Sequence, residues 1–534
     1  MRAVIAALVM FCAFCSTPAA ASVFCVQTEL AGAGVDVGAI DGDLGPRTKA
    51  AAQAFIASSN LADLDLPTLS EANAWQWCAA MRRARLGAAG DALPVVNGLS
   101  ALDFDVTSPP PGAPTLAQRQ LFWNLHKTAK RCLPNEDRKY GWGMTFQLPK
   151  LTAEDFSEAP DLVFPPATRA AAACNLKYPY VSRGDAPVRS DTPPAPLLTK
   201  TGKEIVYINE HYGLTDESID IAAFYFVRRL LEHRYNPKGD DASKAIEAMV
   251  SWAEANTMSR NIQGEGNGNS GTVHWLYATA TADILSAYVD LAPLMTAEQR
   301  GIVGPWLNRV MTKIVGNSER YRTHNHHVGW GMMLAIWGLS IGDHDAVQNA
   351  IDRYKMAIHD MRPDGSFPAE SSRGGEGLTY QSLMTSDLVV MALFFKHSLR
   401  IDLFSYAVDG HTVHDAVDFV LASIDDPSVN RKYALPCPQA GDFYGASVND
   451  PHVPTMGPGL TFHDLSYLPS YARLFRERPS HKIIVERWTM PVERAAVHPV
   501  MGAAPACMFN TTLENFIRGD TTGIAGADTL PTLN

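Results

Sequence analysis

Apolar residues recur at helical spacing through most of the chain after residue 216. The segment 219–233 puts them on one face of a helix, and a shorter run at 468–475 has the same period. Turns rich in Gly, Asn, Pro or Asp separate the segments, without a strand–helix alternation. The pattern predicts a mainly α fold of stacked antiparallel hairpins and argues against a Rossmann or TIM design. The other predicted helices are 242–256, 272–291, 296–315, 328–340, 343–359, 378–399 and 412–424.

Glycines, rather than long apolar stripes, mark the N-terminal part of the chain. The glycine-rich word 34–48 indicates tight turns, and Thr48 is placed to cap a predicted helix over 49–58. The pattern Asp-Gly-x-x-Gly-x-x-Thr from Asp41 resembles the peptidoglycan-binding-type module, a small three-helix domain. The resemblance covers 22–82 and implies attachment to cell wall or glycan. The alternative is a structural appendage without a ligand.

A stretch rich in Gly, Ala and Pro, 83–116, is predicted to be a linker, and 117–534 is assigned to one large helical domain. Within that domain, 117–215 has few periodic runs and is expected to form lids or cleft walls. Tyr140, in the word 139–143, is a candidate substrate contact. The alternative is an aromatic side chain packed within its own loop.

Charge and cysteine content bear on location and partners. A net charge of −11 argues against nucleic-acid binding. Residues 1–21 read as a secretory signal, with Arg2, an apolar run over 3–14 and small residues before the cleavage site. The run is short for a membrane span, so the retained-anchor alternative is disfavoured and no span is expected after signal removal. A periplasmic or secreted location is predicted.

The cysteines agree with export. Two of the 8 cysteines precede the predicted cleavage site, and the even number that remains favours disulfides. None of the six that remain forms a Cys-x-x-Cys pair, so a cysteine zinc site or redox motif is not expected. The remaining cysteines are Cys25, Cys78, Cys132, Cys174, Cys437 and Cys507.

Two polar clusters at predicted helix ends hold the candidate chemistry. Asn325 and His326 stand near the start of the predicted helix 328–340, where unpaired N–H groups and the helix dipole suit a carboxylate. Arg373 and Tyr380 flank a glycine-rich turn, and a guanidinium close to a helix N-terminus favours a phenolate. The plain alternatives are that Asn325 caps the helix and His326 fills a polar corner. For Arg373 and Tyr380 they are a salt bridge and a core aromatic.

Other chemistries compete for the same residues. His324, His326 and His327 have no Glu or Asp among them and lack the His-Glu-x-x-His spacing, so neither a metal nor another cofactor is expected. The chain has no Gly-x-Ser-x-Gly elbow, which disfavours a serine hydrolase. A glycosidase with paired carboxylates stays open. The nearby carboxylates are expected to be solvated or structural: Asp364, Glu370 and Glu376.

Residues 245–392 resemble the alginate lyase family, polysaccharide lyase family 5. The His-to-Arg interval of 47 residues and the Arg-to-Tyr interval of 7 are typical of that family, and Trp275 falls where it has a sugar-stacking tryptophan. The resemblance implies an incomplete (α/α) toroid, here preceded by the small three-helix module. The motifs that carry it are Asn325-His326, Trp330, the word 363–370, Arg373 and Tyr380.

The resemblance implies β-elimination on an acidic polysaccharide. Asn325, His326 and Arg373 would neutralise a uronate carboxylate, and Tyr380 would take the C5 proton and return one to O4. One residue serves both steps only if H5 and O4 share a face of the ring, as in mannuronate and glucuronate. The alternatives are a non-catalytic envelope protein that binds acidic glycan or peptidoglycan, and a hydrolase of the same architecture. Predicted substrate contacts are Trp275, Tyr277, Arg322, His324, His327, Trp330 and Tyr140.

Overall fold

The computed structural model describes most of the helical region. Its described residues are 94–129, 146–160, 219–258, 270–318, 324–374, 377–435, 465–475 and 478–480, with short N-terminal pieces of which 44–58 is the longest. The predicted signal at 1–21, every cysteine, Tyr140 and Arg322 lie outside the described residues.

The chain divides into two compact units, of which one comprises Met1–Val95 with Leu99–Pro110. Helix α1 (Pro46–Ser58) lies in this unit and starts with a proline, which is favoured at the first helical position. The capping role predicted for Thr48 is wrong, because this residue lies inside the helix and its buried hydroxyl accepts from Gln27 Nε2 at 3.3 Å. The three-helix architecture stays a prediction. Apolar side chains form a small core: Val23, Val26, Leu30, Val37, Ala51, Ala52, Leu69, Ala74, Trp77 and Met81.

The other unit, Val96–Gly98 with Pro111–Asn534, is built almost entirely of helices in its described part. Their bounds follow the apolar periodicity to within a few residues, which confirms the predicted mainly α fold. Single turns of 3-10 helix lie at Glu154–Phe156, Ala292–Leu294 and Leu403–Ser405. The helices are α2 (Leu116–Thr128), α3 (Ile219–Tyr235), α4 (Asp241–Glu254), α5 (Ser270–Leu291), α6 (Ala297–Ser318), α7 (Asn325–Ile341), α8 (His344–Asp360), α9 (Pro368–Ser371), α10 (Gly377–Ser398), α11 (Val413–Asp425), α12 (Ser428–Arg431) and α13 (Leu468–Leu474).

Helix α7 lies at the centre of this unit. It is apolar on all sides and buried along nearly its whole length, with α5, α6, α8 and α10 packed around it. Its closest partner is α8, and a Cβ added at Gly338 would lie only 2.8 Å from Ala346 Cβ. Helices that are close in the chain thus pack against one another, which agrees with the predicted incomplete (α/α) toroid.

A β-hairpin forms part of the predicted linker 83–116. Strands β1 (Val95–Val96) and β2 (Leu99–Ser100) are joined by an Asn-Gly turn with positive φ at both residues, 46° at Asn97 and 81° at Gly98. The Asn97 side-chain amide donates to Leu339 O at 2.6 Å, so it occupies one carbonyl at the end of α7. The linker prediction is therefore wrong for this described part, which is folded.

Helix α10 combines great length with low polarity. It has 22 residues and the mean hydropathy of a membrane span, but 89% of its apolar window is buried inside the protein. Helices α7 and α11 pack against it. Its composition is therefore that of a core helix. Helix α10 also packs against the short helix α9.

Candidate active site

The first polar cluster lies at the N-terminus of α7. His324 occupies the cap position, but its side chain makes no capping hydrogen bond. The backbone N–H of Asn325 instead donates to Glu370 Oε1 at 2.6 Å. A distant carboxylate thus satisfies one of the open N–H groups of the helix, and the interpretation of Asn325 as a simple cap is wrong.

Glu370 joins this cluster to the second one. Its side chain, on the short helix α9, is fully buried. Arg373 Nη1 donates to Glu370 Oε2 at 3.2 Å, and His324 Nδ1 lies 3.5 Å from Glu370 Oε1. One carboxylate therefore holds the start of α7 and the guanidinium of Arg373 at the same time. Of the two expectations for Glu370, solvated or structural, the contacts agree with a structural carboxylate.

Electrostatics keep Glu370 ionised. Burial by itself raises the pKa of this carboxyl group. The hydrogen bond from His324, the charges of Arg373 and His324 and the Asn325 N–H outweigh burial and lower the pKa to about 2. Glu370 is therefore a fixed negative charge at neutral pH and has no proton to give.

Arg373 and Tyr380 are in direct contact. The guanidinium carbon of Arg373 lies 3.4 Å from the centroid of the Tyr380 ring. Tyr380 stands in the first turn of α10, which begins at Gly377. A Cβ at Gly377 would lie 2.5 Å from Ser371 O, so glycine is required where α10 meets the end of α9. The guanidinium can therefore act on the phenol and on an incoming anion from one position.

Asn325 and His326 complete the polar surface at the start of α7. Asn325 is 5% exposed, and its Oδ1 is buried without a hydrogen-bond partner among the described residues. A buried polar atom in this condition calls for an explanation, such as a bound ligand or an ordered water. His326 stacks on Trp330, one helical turn away, with ring centroids 5.1 Å apart and planes at 25°. The stacking fixes the plane of the imidazole.

Two predicted substrate contacts are packed into the protein instead. His327 and Trp330 are each 2% exposed, which leaves almost no surface for a polymer. His327 Nδ1 lies 3.4 Å from Arg353 Nη1, so this ring supports the helix pair α7–α8. His324 keeps 14% of its side chain exposed and lies at the cluster itself. Trp275 and Tyr277 belong to α5, but their side chains are outside the described part of the structure.

The three histidines point to different partners. His324 faces Glu370, His326 lies on Trp330 and His327 meets Arg353. Across the described ranges, no group of three or more His, Cys, Asp or Glu side chains is arranged to hold a metal ion.

Gln381 is a site residue that periodicity did not indicate. It follows Tyr380 and is fully buried. Its Oε1 accepts from Phe367 N at 2.7 Å, and its Nε2 donates to Gly365 O at 3.1 Å. The loop before α9 is therefore tied to the first turn of α10. Glu370, by contrast, is among the candidate carboxylates in the sequence, as the last residue of the segment 363–370 and three residues before Arg373.

Comparison with known proteins identifies the helical region. The family model for alginate lyase matches residues 201–429. Residues 201–429 are therefore similar to the alginate lyase family. This match confirms the predicted enzyme class, a polysaccharide lyase.

The relatives that this part of the chain matches are distant. A polysaccharide lyase of Stenotrophomonas maltophilia (strain K279a) is 24% identical over 249 residues, which are 42% of this chain and 73% of that protein. An alginate lyase of Pseudomonas syringae pv. syringae is 22% identical over 212 residues, 38% of this chain and 53% of that protein. The chain thus spans about half the length of the second relative. The crystal structure of alginate lyase A1-III from Sphingomonas species A1 has 19% identity and a TM-score of 0.45, with 65% of this chain and 97% of that chain covered.

Proposed function

We propose that the protein cleaves a 1,4-linked uronate polymer, polymannuronate (alginate) or glucuronan, by syn β-elimination. The observation that carries the proposal is the chain of contacts from Asn325 through Glu370 and Arg373 to Tyr380. Through its backbone N–H, Asn325, which carries a side-chain amide, is linked to a guanidinium and a phenol further along the chain. These are the groups that such an elimination requires.

The first requirement is to neutralise the uronate carboxylate. The C5 proton is weakly acidic while the adjacent carboxylate keeps its full charge, and donors to that carboxylate let charge spread into an enolate-like intermediate. Asn325, His326 and Arg373 take this role. Asn325 suits it because its buried amide is part of the helix N-terminus, where an anion is favoured.

The second requirement is a proton carrier on one face of the sugar. Tyr380 takes the C5 proton and returns a proton to O4, the leaving oxygen. The neighbouring Arg373 guanidinium lies 3.4 Å from the ring centroid, where its positive charge can offset the negative charge that develops during proton transfer. Because one residue does both transfers, H5 and O4 must lie on the same face. This restricts the substrate to mannuronate or glucuronate and excludes guluronate and galacturonate.

Two of the three candidate carboxylates, Asp364 and Glu370, favour a lyase over a glycosidase; Glu376 lies outside the described residues. A glycosidase needs a carboxylic acid with a raised pKa opposite a second carboxylate. The pKa of Glu370 is instead lowered to about 2. Burial raises the pKa of Asp364, but hydrogen bonds from Tyr433 and Ser366 outweigh it and lower that pKa too. Neither carboxyl group is suited to protonate a glycosidic oxygen.

A substrate panel tests the proposal. The purified full-length protein is incubated with polymannuronate, glucuronan and polyguluronate, and the unsaturated product is followed by ultraviolet absorbance. Absorbance should rise with one or both of the first two polymers and stay flat with polyguluronate. If no uronate polymer gives new absorbance, the lyase proposal fails. Binding without product would favour the envelope-protein alternative, and saturated product ends would favour a hydrolase.

Location and wall binding are separate proposals. We propose that residues 1–21 direct export to the periplasm or beyond, and that 22–82 bind peptidoglycan. Cell fractionation of the full chain and of a variant without 1–21 tests the first. Sedimentation of the full chain with purified peptidoglycan, against a variant lacking 22–82, tests the second. Cytoplasmic full-length protein, or equal sedimentation of both proteins, would contradict them.

A further inference from the structure

Helix α2 lies outside the part of the chain that matches the alginate lyase family, 201–429. One of its faces nevertheless packs against the helical unit that holds the candidate active site. Arg119, Phe122 and His126 are all buried on it, at the i, i+3, i+7 spacing of one helix face. Two of these residues are polar, and burying them is costly unless they are hydrogen-bonded.

Each end of this face has a specific polar partner. Arg119 Nη2 donates to Asp409 Oδ2 at 2.6 Å, near the helix start. His126 Nδ1 and Ser372 Oγ are hydrogen-bonded at 3.0 Å, near the helix end. The His126 ring is 3% exposed and packs edge-on against Phe122 at 4.7 Å. The orientation of His126 toward Ser372 is therefore fixed by packing.

Ser372 is the residue directly before Arg373. Its carbonyl accepts from Leu435 N at 3.0 Å and from Gly374 N at 2.9 Å, so the backbone of the turn is held on one side. His126 holds the hydroxyl of the same residue. The direction in which the Arg373 side chain leaves the turn is set by these bonds together with its contact to Glu370.

We propose that His126 is a positioning residue for the elimination, acting through Ser372 on Arg373. This inference rests on the proposed function, in which Arg373 neutralises the uronate carboxylate. Small displacements of such a group lower the rate strongly, because its interaction with the developing charge depends on pre-set geometry. Helix α2 thereby contributes to the active site from outside the family-matched stretch, without touching substrate.

Two single variants that remove the same hydrogen bond test the proposal. His126→Leu keeps an apolar side chain against Phe122 but cannot bond Ser372, and Ser372→Ala removes the other partner. Each should lower kcat about tenfold, with a smaller change in KM. The double variant should be no slower than the slower single variant, because both singles lose one shared contact. His126→Asn, which keeps a polar atom at the δ position, should stay within about threefold of wild type.

Asp409→Asn is the matched control, since it weakens the opposite anchor of α2 at Arg119. It should leave kcat unchanged even if it lowers the thermal midpoint. Single-variant kcat values equal to wild type, or losses that multiply in the double variant, would overturn the role of His126. If His126→Leu does not fold, Ser372→Ala compared with Asp409→Asn decides the matter alone. A wild-type protein inactive on every uronate polymer would instead refute the proposed function, which is a separate outcome.

Discussion

Replacing Glu370 by glutamine removes the charge that joins the two polar clusters. The substitution keeps the size of the side chain and one acceptor oxygen for the Asn325 N–H. It leaves the Arg373 guanidinium without its anionic partner at 3.2 Å. A partly buried cation that loses its partner destabilises the fold, and the guanidinium of Arg373 can then turn away from Tyr380.

The size of the effect follows from the pKa of Glu370. The fall from the usual 4.5 to about 2 corresponds to roughly 3 kcal/mol of folded-state stability at pH 7. Because the folded-state pKa is the lower one, this stabilisation is complete above pH 4.5 and is lost as the pH falls toward 2. At pH 3 about half of it remains.

Urea denaturation of wild type and Glu370→Gln measures this difference. We expect the free energy of unfolding to differ by roughly 3 kcal/mol at pH 7 and by about half as much at pH 3. Initial rates on polymannuronate or glucuronan should fall about 100-fold or more at pH 7. Asp418→Asn, which breaks an exposed pair with Arg478, is the control and should cost about 1 kcal/mol or less. Equal stability of Glu370→Gln and wild type at pH 7, or a difference that does not shrink at pH 3, would refute the reasoning.

Three further substitutions address the Arg373–Tyr380 contact and its support. Tyr380→Phe should abolish turnover while the far-ultraviolet circular dichroism stays unchanged; retained activity removes Tyr380 from its role. Arg373→Lys should lower kcat at least about tenfold, because an ammonium lacks the planar contact with the Tyr380 ring; wild-type kcat would contradict this. Gly377→Ala should destabilise the protein by about 1–3 kcal/mol in urea and lower kcat, since its Cβ would lie 2.5 Å from Ser371 O; an unchanged midpoint would refute the close approach.

Periodicity predicts the helices well because burial is the main force that selects them. Helix α8 is amphipathic and α7 is apolar all round, and both begin within three residues of the predicted starts. Helix α7 is predicted to start at 328 but begins at Asn325, because the Glu370 carboxylate accepts a hydrogen bond from the N–H group of Asn325. Such a boundary depends on a tertiary contact across 45 residues, which no local pattern contains.

The same limit explains which residues of the candidate site the sequence could indicate. Asn325, His326, Arg373 and Tyr380 were indicated by residue type and spacing within short words. Gln381 and His126 act through neighbours, so their identity carries no chemical signal of its own. His126 is 246 residues from its partner Ser372, a separation that only folding closes.

Charge balance explains why the proposed reaction needs more than Arg373. The Arg373 cation is already paired with the Glu370 anion at 3.2 Å, so the pair is neutral before substrate arrives. A uronate carboxylate then brings an uncompensated negative charge. The amide of Asn325, the N-terminal dipole of α7 and the imidazole of His326 are the groups available to offset it. Glu370 thus fixes the geometry of the site at the cost of part of its positive charge, and the donors at the start of α7 supply the remainder.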